Sequence, residues 1–87
     1  MSKLEVSILF KNKNSDGSLN TSGKNIKLLR KELKLSQRKL ADKMQLLGID
    51  LSKNAIQQIE SGERFITDIE LKVFAKFFGI PSDELLE

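Results

Sequence analysis

The stretch "KMQLLGIDLSKNAIQQIE", Lys43 to Glu60, decides how this chain is read. Ser52 is a hydroxyl residue of the kind that caps a helix N-terminus. Ala55, Ile56 and Ile59 follow at the spacing of one apolar helical face, and Ser61-Gly62 closes the segment. With Ile56 and Ile59 turned inward, Asn54, Gln57, Gln58 and Ser61 point outward and Lys53 leads the helix. Surface helices more often carry Glu and Lys than a row of amides. Asn and Gln amides pair bidentately with adenine and Lys with guanine in a major groove, and no carboxylate stands on this face to repel phosphate. The competing reading is an ordinary solvated helix.

Upstream, Ser36 caps a helix holding Leu40, Ala41, Met44 and Leu47, and Gly48 sits where that helix ends. The pair of helices 36–47 and 52–61 is a helix-turn-helix candidate. Before it, Thr21 or Ser22 can cap a first helix with Ile26, Leu29 and Leu33 on one buried face, broken at Leu35-Ser36. After it, Thr67-x-x-Glu70 is a capping box opening a fourth helix. Its Ile69, Leu71, Val73, Phe74, Phe77 and Phe78 are apolar around much of the circumference, which predicts the central helix of the domain. Gly79 ends it, and Pro81-Ser82 starts a last short turn with Leu85 and Leu86. The fold class read from this pattern is all-α, with five helices over residues 23–87.

Residues 1–22 differ. Leu4, Val6, Ile8 and Phe10 alternate with other residues at period two, which predicts a short β-strand. The polar run KNKNSDGSLNTSG then reads as a linker or hairpin loop. One strand needs a second, either Ser18–Thr21 or the same segment of another subunit. The alternative is a disordered tail. The chain therefore divides into an N-terminal extension, 1–22, and a domain, 23–87.

Composition narrows the chemistry. The 87 residues suggest one small domain whose core is marginal alone, so dimerisation or a partner is expected. Without Cys or His, disulfides, the usual zinc sites and His-based acid–base catalysis are excluded. No Gly-rich phosphate loop, nucleophile elbow or metal cluster appears, so neither an enzyme nor a cofactor is expected. No apolar run reaches the roughly 18 residues of a membrane span, so no membrane partner is expected and the cytoplasm is the expected compartment. The net charge of +3 is unevenly placed. Eight basic residues stand between Lys24 and Lys43 against Glu32 and Asp42, whereas seven acids follow from Glu60 onward. A basic face attracts phosphate, although charged residues are also the normal covering of solvated helices.

The segments "GKNIKLLRKELKLSQRKLADKM", "NAIQQIESGER" and "LKVFAKFFGIPSDELL", in this order, resemble the lambda-repressor-like helix-turn-helix family of Cro/cI or XRE type. The resemblance covers Gly23–Leu86. It implies a double-stranded DNA-binding transcriptional regulator, in most cases a repressor acting as a homodimer on a two-fold-related site. It also implies residue roles. Lys53, Asn54 and Gln58 occupy base-reading positions, with Gln57 as their neighbour. Gln37 opens the second helix where a phosphate or base edge is met, and Arg64 matches a phosphate contact. Arg38, Lys39 and Ser52 join them as phosphate-positioning candidates. Arg30 and Glu60 match a structural ion pair that ties the first helix to the end of the third.

The sequence departs from the family in one place. Ala41 to Ile56 spans fifteen positions. The family has about ten there, with a turn of roughly 3–4 residues. The extra residues are expected as a longer second helix through Leu47 and a connection Gly48–Leu51, anchored by Ile49 and Leu51. A different function on the same fold is a protein-interaction module, such as an antitoxin or an accessory partner of a mobile element. Its sequence support is the apolar row at residues 4–10, which can grip a second protein. Leu85 and Leu86 offer a competing dimer surface.

Overall fold

The computed structural model describes residues 14–87, so the predicted strand at 4–10 lies outside the described residues. Among the described residues there are five helices and no strand: α1 (Gly23–Glu32), α2 (Gln37–Leu46), α3 (Lys53–Ser61), α4 (Asp68–Phe78) and α5 (Ser82–Leu85). Ser18–Thr21, read as a partner strand, forms part of a turn instead. Its polar groups bond locally and to α3, leaving no ladder for a strand to join.

Three helices begin where short-range side-chain chemistry places them. Ser36 Oγ accepts from the Lys39 N–H at 3.0 Å, and Ser52 Oγ accepts from the Ala55 N–H at 3.1 Å. Thr67 and Glu70 complete the capping box, each side chain accepting the other's backbone N–H. Each cap satisfies a donor with no partner inside its helix. The first helix starts differently. Neither Thr21 nor Ser22 makes a side-chain cap; Asn20 Oδ1 accepts from the Gly23 N–H at 2.7 Å.

α3 packs against both α1 and α2, while α4 packs chiefly on α5. The central helix is therefore α3, not α4. Ile69 of α4 is 67% exposed, and only Phe74 and Ala75 of that helix are fully in the core. A nine-residue helix is too short to persist alone. Ile56 and Ile59, both fully buried, hold it, each contributing about 1.5–3 kcal/mol. Around them lie Ile26, Leu40, Met44, Phe74 and Leu85.

On α1 the inward face is Ile26 and Arg30, with Leu29 half-buried. Leu33, expected inward, is 53% exposed. The helix stops at Glu32 and Lys34 turns the chain at φ +59°, so Leu33 caps the helix on its solvent side. The expanded connection is fixed at both ends. Gly48, at φ +92°, donates to the Gln45 carbonyl and Ile49 donates to that of Met44. This six-to-one, five-to-two pair is the Schellman stop, and Gly supplies its left-handed residue. α2 proper ends at Leu46, and Leu47, expected inward, is 41% exposed. Leu51 is buried and Ile49 packs on the core, so the connection is anchored as expected.

Candidate nucleic-acid interface

Lys53, Asn54, Gln57, Gln58 and Ser61 are all exposed on α3. Among the described residues, the Lys53, Asn54, Gln57 and Gln58 side chains have no hydrogen-bond partner within the chain, so their donors and acceptors are available to a ligand. Ser52 is committed through its oxygen to the cap, yet its O–H can still donate. Arg38 and Lys39 are exposed in the first turn of α2. Arg38, Asp42, Asp50, Lys53 and Asn54 line one shallow groove between α2 and the start of α3. Asp42 and Asp50 thus stand beside the leading end of the amide face. Sequence reading gave these two carboxylates no part in the site.

Arg30 and Glu60 meet in a buried fork. Arg30 Nε donates to Glu60 Oε2 at 2.6 Å and Nη2 to Oε1 at 3.1 Å. Nη1 donates to the Leu35 carbonyl at 2.7 Å. The paired side chains are 10% and 3% exposed, so the planar guanidinium joins α1 to the last turn of α3 out of water. Gln37 belongs to the same cluster: its amide donates to Glu60 Oε1 at 3.1 Å. The structure therefore brings Gln37, Arg30 and Glu60 together, and the Gln37 donor is shared with an internal carboxylate. No buried side-chain polar atom among the described residues lacks a partner.

Arg64 is similarly engaged. Its Nη1 donates to Glu70 Oε1 at 3.0 Å and to the Phe65 carbonyl at 2.8 Å, and Nη2 donates to Glu70 Oε2 at 3.1 Å. Glu70 also accepts the Thr67 N–H, so one carboxylate serves the cap of α4 and the loop before it. Burial alone would push the Glu70 carboxyl up. The hydrogen bonds from Arg64 and Thr67, with the guanidinium charge, outweigh burial and hold it below the ordinary 4.5. The hydrogen bond with Glu70 raises Arg64 further above its already high value.

The sign for stability follows. A depressed folded-state carboxyl contributes fully above its unfolded value and loses that contribution as pH falls through the folded one. The melting temperature of the parent is expected to exceed that of Glu70→Gln at neutral pH, with the gap narrowing below about pH 4. Parallel thermal melts from neutral to acid pH check this. A gap that is constant with pH would remove Glu70 as the titrating group.

One functional neighbour escaped sequence reading. Asn20 Nδ2 donates to the Ile59 carbonyl at 3.0 Å and the Arg64 carbonyl at 2.8 Å. The only local signal was an Asn three residues before a helical Gly, which reads as a cap and says nothing of α3.

The helix-turn-helix family model matches residues 26–85, spanning all five helices and the expanded connection. The chain belongs to the helix-turn-helix family, of the Cro/cI type. This is a family of DNA-binding transcription regulators and not of enzymes. No curated protein and no solved structure matches the chain. Among the described residues no helix is long and apolar enough to cross a membrane. The helix-turn-helix match begins inside α1, so Asn14–Asn25 lie outside it.

Proposed function

We propose that this chain reads a specific duplex sequence by laying α3 in the major groove, and that it represses transcription from the cytoplasm as a homodimer. The observation that carries the reading is the α3 face itself. Lys53, Asn54, Gln57 and Gln58 are exposed and unpartnered within the described chain, on a helix whose opposite side is buried. Lys53 and Asn54 are assigned base edges, Gln58 a third, and Gln57 an adjoining one. Arg38, Lys39 and the Ser52 hydroxyl are assigned phosphates, which set register without reading sequence.

Gln37 and Arg64 take reduced versions of their family roles. Gln37 keeps its amide oxygen and one N–H for DNA while bonded to Glu60. Arg64 keeps Nε–H and one Nη2–H, and the charge of Glu70 partly cancels its own. Repression fits because occupying a site excludes other proteins and needs no further surface. For the homodimer, the support is the exposed Phe65, Ile69 and Leu86 around α4 and α5. Leu85 is not available for this surface, being fully buried.

Selection from randomised duplexes at physiological salt tests the reading. An enriched two-fold motif is expected, with an affinity whose salt slope falls by roughly 0.9 for each phosphate neutralised. Enrichment of no motif would end the sequence-specific reading. The interaction-module alternative keeps the row Leu4, Val6, Ile8, Phe10 as its support. Light scattering on the full chain and on a chain starting at Asn14 separates the two surfaces. A cut at Thr21 would also remove Asn20 and confuse the result.

A further inference from the structure

We infer that Asn14–Ser22 is a strap belonging to the DNA-reading unit, in which Asn20 positions the C-terminal end of α3 and the loop carrying Arg64. This rests on the DNA-binding reading above. Asn20 uses its whole amide. Nδ2 donates to the Ile59 and Arg64 carbonyls, and Oδ1 accepts from the Gly23 N–H. The opposite orientation would set its oxygen against two carbonyls, so the partners fix the assignment. One side chain therefore joins the start of α1, the last turn of α3 and the loop beyond it.

The backbone reinforces the contact. The Leu19 N–H donates to the Gly62 carbonyl at 2.7 Å. A Cβ at Gly62 would stand 2.6 Å from the Ser18 Cβ, and one at Gly23 would collide with the Ile59 carbonyl. Strap, α1 and α3 are thus in direct backbone contact at two glycines. The strap is also shaped before it docks. Asn14 Nδ2 donates to Ser18 Oγ and to the Asn20 carbonyl, both at 2.8 Å, and Asp16 Oδ1 accepts from the Ser18 N–H at 3.0 Å. Such local bonds reduce the entropy lost when the strap closes on α3.

The consequence is one of register. Gln57, Gln58 and Ser61 occupy the half of α3 that the strap seats. Hydrogen bonding to a base edge is lost over a few tenths of an ångström, whereas attraction to phosphate is long-ranged. Disturbing the strap should therefore reduce selectivity more than bulk attraction to DNA. Arg64 is held from both sides, its carbonyl by Asn20 and its guanidinium by Glu70.

Asn20→Asp in the full chain isolates the effect. It retains an acceptor for Gly23 and replaces the donor with a carboxylate facing two carbonyls. The cooperative melt should persist. Affinity for the selected duplex should fall about tenfold, the scale of two net hydrogen bonds. Affinity for a scrambled duplex of equal length should fall less than about threefold, since one added charge is partly screened. Equal losses on both duplexes, or no loss on either, would overturn the inference. Should Asn20→Asp not fold, Ser18→Val decides, because it crowds Gly62 from outside the helices; unchanged selectivity there overturns the inference. Amide exchange on the parent needs no DNA. Protection of Leu19 and Gly23 comparable to that within α3 is expected, and exchange at unstructured rates would overturn the strap. A parent chain that selects no duplex would instead sink the DNA reading, and amide exchange would still report separately on the strap.

Discussion

Arg30→Met is expected to lower stability by about 3–5 kcal/mol, the range for removing one partner of a buried ion pair. The change leaves Glu60, at 3% side-chain exposure, with only the Gln37 amide as a side-chain donor. It also strips the Leu35 carbonyl of its 2.7 Å contact. In a domain of this size each kcal/mol moves the melting temperature by about 4–8 °C, so the loss is large against the total. A thermal melt reads it directly. The double variant Arg30→Met, Glu60→Leu should recover much of the loss, because an apolar pair of similar volume removes the stranded charge. A single variant melting within a few degrees of the parent would show that the pair does not hold α1 to α3.

Lys53→Ala combined with Asn54→Ala carries the largest expected effect on DNA. Each bidentate base contact contributes about 1–3 kcal/mol of discrimination, so together roughly 2–6 kcal/mol should vanish. Both side chains are exposed on the first turn of α3, and Ser52 supplies the cap, so the fold should be unaffected. Competition between the selected duplex and single-base variants measures the loss. Preference should relax at the positions these residues face, and residual affinity should remain salt-dependent through Arg38 and Lys39. Selectivity unchanged in the double variant would move base reading to other residues, with Gln57 and Gln58 the next to test.

Arg64 shows how folding reassigns a residue whose family role is clear. A lone arginine after a recognition helix contributes a full positive charge toward phosphate. Here the guanidinium is forked onto Glu70, which also caps α4. Removing it would disturb the loop as well as the charge. The salt slope should therefore change by less than the roughly one unit of a free phosphate contact. Gln37 is tempered in the same way by Glu60.

Local rules made the helix starts legible. Ser36, Ser52 and Thr67 each bond a backbone N–H three residues on, an interaction contained in four consecutive residues. The helix stops at Gly48, Gly62 and Gly79 are equally local, all three at positive φ. The outward face of α3 was legible because Ile56 and Ile59 fix the helix phase. Leu33 and Ile69 defeated the same periodic reading. Periodicity marks which residues share a face, but the helix end at Glu32 and the packing of α4 on α5 decide whether that face is covered.

By itself, then, the sequence determined the five helices, their caps and the amide row on α3, since each depends on neighbours within a turn or two of the chain. The Arg30–Glu60 pair was reached only through family likeness. Only the tertiary structure decided that α3 is the central helix, that Gln37 and Arg64 share their donors with internal carboxylates, and that Asn20 seats the far end of α3. Those contacts join residues up to 44 positions apart. Their geometry is created when the helices pack, and a reading along the chain carries no distance between elements that meet only after folding.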